Sequence, residues 1–363
     1  MTDRLYLRPT GFVDAPFGYD GQVLRLAGGL CFFTAIELIR VTDGIRTSQS
    51  LVTVEALDAH IHTLPAAMAA HARGILARLT APRAPLSLGQ RKIPLDQPQV
   101  MAIVNVTPDS FSDGGAHPDP ASHAMDMLQA GAALVDVGGE STRPGAKPVW
   151  EGDEIARVRP VIDLLAASGA AISIDSRKAG VMEAALDAGA GLVNDVSALT
   201  WDDRALAMVA ARGCPVVLMH HRGTPDTMQQ DPHYADVLID VYDWLEARIE
   251  AAVAAGIDRA RILIDPGIGF GKTLRHNLAL LNGLALFHGL GCPLVLGVSR
   301  KRTIGALSNE APVEKRLGGS IGLAVLGAAQ GVQLFRIHDV FETVQALRVW
   351  RGLRDEALAP AQA

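Results

Sequence analysis

From about Gln99 onward, hydrophobic and polar positions fall into two alternating rhythms. Short, continuous apolar runs occupy Val100–Val106, Leu134–Val137, Ala171–Asp175, Leu192–Val196, Val216–His220, Ile262–Asp265, Leu294–Val298 and Val332–Ile337. Glycine or proline flanks them, and they lack an in/out alternation, as expected of strands buried on both faces of a parallel sheet. Between them lie periodic, helix-like stretches such as Val181–Ala188, Ala205–Arg212 and Val237–Ala255; Phe341–Arg354 follows the eighth run. Eight βα units over residues 96–363 (363 − 95 = 268 residues) predict an α/β fold, one closed (β/α)8 TIM barrel. A doubly wound open sheet is the alternative, and eight consecutive units favour closure.

Residues 1–95 break this rhythm. Leu24–Arg40 has strand character, Val54–Leu79 is Ala-rich with helical spacing, and the proline-punctuated stretch at about 81–98 reads as a linker. The expected organisation is a small N-terminal α+β appendage (1–95) of unknown role and a barrel domain (96–363). Leu317–Phe335 runs without a charge for nearly the length of a membrane span. Its glycines and its strand-like end after Gly331 favour a helix at Ser320–Gln330 feeding a buried strand. No membrane partner is expected.

Composition narrows the class. Apolar residues are 49% and charged residues 20%, which excludes a disordered chain. A net charge of −6 and 5% aromatics argue against a nucleic-acid binder while permitting a local basic pocket. Cys31, Cys214 and Cys292 are far apart among apolar neighbours, and MTDRLYLRP carries no apolar targeting core, so a reducing cytoplasm is expected.

Reactive groups of a barrel follow the carboxyl ends of its strands. Here Asn105, Asp136, Asp175, Asn194-Asp195, His220-His221, Asp265, Ser299-Arg300-Lys301-Arg302, and Arg336 with His338 occupy those positions. Polar groups at all eight ends imply a ligand that satisfies them. Arg143, Lys301, Arg336 and His338 suit an anion, and guanidinium groups grip phosphate oxygens in pairs. Asp175, Asn194 and Asp265 suit an amino-substituted heterocycle. Asn105 offers one neutral oxygen to Mg²⁺ when phosphates supply others. A phosphorylated heterocycle fits the set. Beside these residues, Asp195 and Asp339 read as turn or packing residues, and Arg300 as the member of a salt bridge.

Three motifs mislead. The run Gly267–Thr273 resembles a phosphate-binding loop, yet its spacing is short and Pro266 stands where the first glycine belongs. His60 and His62 precede the barrel on an expected helix, where they face different ways. Alternation lets at most one of His220 and His221 face the site.

The runs at 105–115 (NVTPDSFSDGG) and 136–145 (DVGGESTRPG) closely resemble the two signature loops of dihydropteroate synthase, a pterin-binding TIM-barrel family. Residues 264–272, 297–301 and 336–340 continue the resemblance in order, over about 98–352. It implies condensation of 7,8-dihydropterin-6-ylmethyl diphosphate with p-aminobenzoate, giving 7,8-dihydropteroate and diphosphate. By resemblance Asp175, Asn194, Met219, Asp265, Phe270 and Lys301 bind the pterin, and Asn105, Thr142, Arg143, Arg336 and His338 the diphosphate, with Mg²⁺ at Asn105. Thr107, Pro108, Phe111, Pro144, Lys301 and Arg302 shape the p-aminobenzoate pocket, and loops 107–115 and 140–147 close over it. Asn105, Arg143, Lys301, Arg336 and His338 carry the chemistry. The resemblance also implies a homodimer and a sulfonamide target. A non-catalytic pterin-binding paralogue and a methyltetrahydrofolate methyltransferase-like enzyme are the alternatives.

Overall fold

The computed structural model describes residues 3–107, 119–141, 148–223 and 227–359. The appendage comes first in the chain. Strand β1 (Asp3–Val13) pairs antiparallel with a long central strand, after the two-residue β2 (Leu24–Arg25). That central strand, β3 (Phe32–Thr42), turns tightly into β4 (Ile45–Thr53) through Asp43 and Gly44, both with positive φ. The helical run expected at Val54–Leu79 is two helices, α1 (Val54–His62) and α2 (Ala66–Thr80). Pro65 is the N-cap of the second helix; a proline there loses no helical hydrogen bond, but further in it would. Leu5, Leu7, Phe33, Ile36, Leu57, Ile61, Ile75 and Leu79 give this unit its own core. Strand β1 was invisible in the sequence pattern because polar residues interrupt it.

The stretch expected as a linker contains a hairpin, β5 (Leu86–Leu88) with β6 (Arg91–Ile93). Leu86, Leu88, Ile93 and Leu95 are buried against Met101, Leu134, Ala171, Leu192, Val217, Leu263, Val295 and Leu334. Those eight residues come from the starts of the eight barrel strands. The hairpin is therefore the floor of the barrel.

The barrel strands are β7 (Gln99–Asn105), β8 (Leu134–Gly138), β9 (Ile172–Asp175), β10 (Leu192–Asp195), β11 (Val216–Met219), β12 (Ile262–Asp265), β13 (Val295–Leu296) and β14 (Leu334–Ile337). They form one parallel sheet in the order β12-β11-β10-β9-β8-β7-β14-β13, and a bridge between Ile264 and Leu294 joins its two edges. Helices α3 (Pro120–Gln129), α4 (Glu151–Ala167), α5 (Ala179–Asp187), α6 (Ala205–Arg212), α7 (Val237–Ala254), α8 (Leu274–Asn282), α9 (Arg302–Leu307), α10 (Leu317–Ala328) and α11 (Val340–Ala357) lie between and after the strands. The uncharged run from Leu317 thus resolves into α10 and β14. Among the described residues, no helix is long and apolar enough to cross a membrane.

Strand alternation carries the floor up to the mouth. Two residues beyond floor residues Leu134, Leu192, Val217, Leu263 and Leu334 stand Asp136, Asn194, Met219, Asp265 and Arg336. The intervening Val135, Val193, Leu218, Ile264 and Phe335 face the helices and belong to the outer core. The apolar floor thereby dictates which polar residues face the barrel axis.

The appendage is fastened along α7 and behind the barrel. The Tyr6 hydroxyl donates to Asp243 at 2.8 Å, Arg46 pairs with Asp236 at 2.7 Å, and Arg78 Nε donates to the Gly289 carbonyl at 2.6 Å. Arg83 reaches the carbonyl of His288 at 3.0 Å. The His288 ring is fully buried, with Nε2 3.0 Å from the Gln330 carbonyl, and burial pushes its pKa down to about 3. The unfolded chain binds a proton near the ordinary value of about 6.5, whereas the folded chain does not until about 3, so this residue makes stability rise with pH across that window. Replacing it with glutamine (His288→Gln) is expected to flatten urea-measured stability between pH 5 and 6 by ~1.4 kcal/mol per pH unit relative to wild type. Parallel pH profiles for the two proteins would contradict this burial account.

Candidate active site

A buried carboxylate, Asp136 on β8, organises the barrel mouth. Its Oδ2 accepts from Asn194 Nδ2 at 2.8 Å and from Arg336 Nε at 2.6 Å. Arg336 Nη2 donates to Asp175 Oδ2 at 2.5 Å. One guanidinium thus joins carboxylates from β8 and β9, and the first of these also holds the amide from β10. Burial opposes the Arg336 charge, but Asp175 and Asp136 outweigh it and raise its pKa. Burial also drives Asp175 upward, with Asp136 and Glu154 adding to the push and Arg336 resisting it.

Asp265 and Lys301 form the opposite wall. Burial raises the Asp265 pKa, while the ammonium of Lys301 pulls it back; Lys301 is itself lowered to about 8 by burial. Asp265 Oδ1 accepts from the Gly267 amide at 2.7 Å, and Lys301 Nζ donates to the Ile268 carbonyl while lying 4.8 Å over the Phe270 ring. Met219 is level with Asp265 in the sheet and buried. The mouth therefore combines carboxylate and amide acceptors, one apolar side chain, one half-buried aromatic ring and two cations. That set suits a flat heterocycle with several N–H donors.

Asn105 ends β7 level with Gly138, which is level with Asp175, which is level with Asn194. His338 follows β14, and its Nδ1 is 3.0 Å from Ser299 Oγ, which also accepts from the His338 amide at 3.1 Å. Thr107 is half-buried beyond the end of β7, and Arg302 is exposed at the start of α9. Pro108, Phe111, Thr142, Arg143 and Pro144 lie outside the described residues, as do most of loops 107–115 and 140–147. Next to the second loop, Glu140 accepts from the Val149 amide at 2.9 Å and Lys178 donates to the Val149 carbonyl at 2.7 Å.

Several neighbours are structural. Asp195 accepts from the Ser197 and Leu199 amides, and Arg300 pairs with Asp339 (Nε to Oδ2, 3.0 Å). His220 is buried edge-on to Trp244, and His221 packs on the same indole. Asp136 and Ser299 were named from sequence among the polar strand ends, and Glu140 within the second loop, but without a role; Lys178 was not named. The structure makes Asp136 the carboxylate that holds Asn194 and Arg336, and Ser299 the partner of His338.

A model of the pterin binding enzyme family matches residues 101–338. The dihydropteroate synthase of Escherichia coli strain K12 is 48% identical over 259 residues, 70% of this chain and 91% of that protein. The structure of the Yersinia pestis dihydropteroate synthase in a sulfonamide drug complex is 45% identical, with a TM-score of 0.71, over 75% of this chain and 99% of that one. The Xanthomonas albilineans enzyme in complex with 7,8-dihydropteroate is 44% identical, with a TM-score of 0.68, over 74% and 98% of the two chains. The fold and mouth define a pterin-binding barrel, and the chain belongs to the dihydropteroate synthase family.

Arg336 is the shared counter-charge of Asp136 and Asp175. Removing it leaves two buried carboxylates facing each other without a cation, so Arg336→Met is expected to lose about 3–5 kcal/mol of stability in urea unfolding at pH 7. Asp136→Asn leaves the Arg336–Asp175 pair intact and should cost less, and Asp136→Asn/Arg336→Met should recover part of the Arg336→Met loss. An Arg336→Met variant as stable as wild type would remove Arg336 from this role.

Proposed function

We propose that this chain condenses 7,8-dihydropterin-6-ylmethyl diphosphate with p-aminobenzoate, forming 7,8-dihydropteroate and releasing diphosphate. The observation that carries this reading is the paired wall of the mouth. Asp175, Asn194 and Asp265 present acceptors to an aminopterin edge, with Lys301 and Arg336 at hand for anionic or carbonyl oxygens. Relatives of 44–48% identity, matched over 91–98% of their own length, support it.

In this reading Asp175, Asn194, Asp265 and Lys301 hold the pterin, with Met219 and Phe270 along its faces. Asn105, Thr142, Arg143, Arg336 and His338 receive the diphosphate. Thr107, Pro108, Phe111, Pro144, Lys301 and Arg302 border p-aminobenzoate. An aromatic amine is a weak nucleophile, so departure leads: the bond from exocyclic methylene carbon to oxygen breaks and its electron pair leaves with diphosphate. The amine nitrogen then bonds to that carbon and gives up its proton. Arg336 and His338, with Arg143, stabilise charge on the leaving group, which is transition-state electrostatics. His338 is oriented for this by Ser299.

The donor set also fits Mg²⁺. Mg²⁺ would be held by the neutral side-chain oxygen of Asn105, at the end of β7, together with diphosphate oxygens. When bound, it supplies positive charge to the departing diphosphate.

Two further features belong to this reading. Helix α10 carries no charged residue from Leu317 to Ala328 and exposes Leu326, while Phe341, Val349 and Leu353 recur on one exposed side of α11. Such a surface suits burial against a second copy, giving a homodimer. The three free thiols suit the reducing cytoplasm.

Purified full-length protein is expected to release diphosphate only when both substrates and Mg²⁺ are present; no turnover with all three would overturn the assignment. By light scattering, wild type should have the mass of two chains, and Leu326→Arg/Phe341→Asp the mass of one. A monomeric wild type would refute the dimer.

A further inference from the structure

The run that resembles a phosphate loop, Gly267–Thr273, has the opposite polarity. All its carbonyls from Gly267 to Gly271 converge on side chains, and the amides of Gly267 and Gly269 are already taken by Asp265 and Asn277. Lys272 Nζ donates to the carbonyls of Gly267 (2.9 Å) and Phe270 (3.0 Å), lies 2.9 Å from Nδ1 of His220 and reaches the His220 carbonyl at 3.5 Å. The carbonyl of Ile268 is held by Lys301, that of Gly269 by Gln229 (2.7 Å) and that of Gly271 by Tyr234 (2.8 Å). Five consecutive carbonyls are thus fixed by four side chains. Lys272 is only 3% exposed, and burial pushes its pKa down while Asp265 resists; its Nζ is surrounded by these chain partners and turned away from the mouth's ligand space.

Close backbone contact makes this packing specific. Gly267 and Gly271 have positive φ, and a Cβ on them would lie 1.8 Å from the His220 carbonyl and 2.3 Å from the Arg222 carbonyl. The loop after β12 therefore lies directly on the chain leaving β11, with the ammonium between them. Nδ1 of His220 faces the Lys272 nitrogen, and burial, followed by Lys272, pushes the His220 pKa down.

We propose that Lys272 is a positioning residue for the heterocycle. It is the internal cation around which residues 267–271 fold, and it thereby sets the Phe270 ring and the Ile268 carbonyl that steers Lys301. This rests on the reading above, in which Phe270 and Lys301 border the pterin. Arg336 and His338, assigned to the diphosphate, stand on β14 and beyond it, outside the loop that Lys272 holds.

Lys272→Met keeps the side-chain length and removes the charge. In full-length protein, calorimetric titration is expected to show affinity for 6-hydroxymethyl-7,8-dihydropterin reduced about tenfold or more, with affinity for inorganic diphosphate changed less than about twofold. Lys272→Arg, which keeps the charge with the wrong geometry, should give an intermediate loss and serves if the methionine variant does not fold. In Lys272→Ala, methylammonium should restore pterin binding and tetramethylammonium should not. Unchanged pterin affinity in a folded variant, or parallel loss of both ligands, would overturn the proposal. A wild-type protein that fails to bind the pterin would instead overturn the functional reading, and this proposal with it.

Discussion

The barrel mouth depends on one constraint: ions taken out of water must be paired inside the protein. Asp136, Asp175, Asp265 and Lys272 are all less than a tenth exposed, and Arg336 and Lys301 stand among them. Unpaired, each would cost several kcal/mol. On one side Asp136 and Asp175 are ion-paired through Arg336; on the other Asp265 accepts from the Gly267 amide and lies in the field of Lys301 and Lys272. A ligand with N–H donors and anionic oxygens can enter such a mouth by exchanging partners rather than by stripping bare charges. That makes the same pairing a device of stability and of recognition.

The pairs stand where they do because the floor is apolar. The hairpin of Leu86, Leu88 and Ile93 covers the amino end of the barrel with apolar side chains. Strand alternation then projects every second residue above that floor into the mouth. The hairpin lies between appendage and barrel in sequence but belongs physically to the barrel. Cutting the chain just after it would open the floor beneath the site.

What was legible in the sequence follows from how each feature is encoded. The eight strands were readable because strands buried on both faces are continuous apolar runs; Ile262–Asp265 coincides with its expected range, and the others shift by a few residues. The mouth residues were readable because polar side chains ending such runs need partners. Asp136 was visible as a strand-end carboxylate, but its organising role was not, because its partners, Asn194 and Arg336, are 58 and 200 residues away along the chain. The floor hairpin escaped because prolines and short strands look like a connection until the barrel end it covers is assembled. In the appendage, strand β1 is defined by its ten-residue register with β3, a non-local fact.

The Gly267–Thr273 run shows why a motif must be read with its surroundings. A phosphate loop works because a helix start directs free amides at an anion. Here helix α8 has its own cap in Thr273, whose hydroxyl accepts from the His276 amide while the His276 ring accepts from the Thr273 amide. Of the preceding amides, Gly267 is taken by Asp265 and Gly269 by Asn277. With amides occupied and carbonyls turned inward, the loop binds a cation, and the chain supplies that cation itself as Lys272. An anionic ligand would therefore find its positive charge on the side chains of other strand ends, Lys301 and Arg336, rather than on this glycine-rich loop.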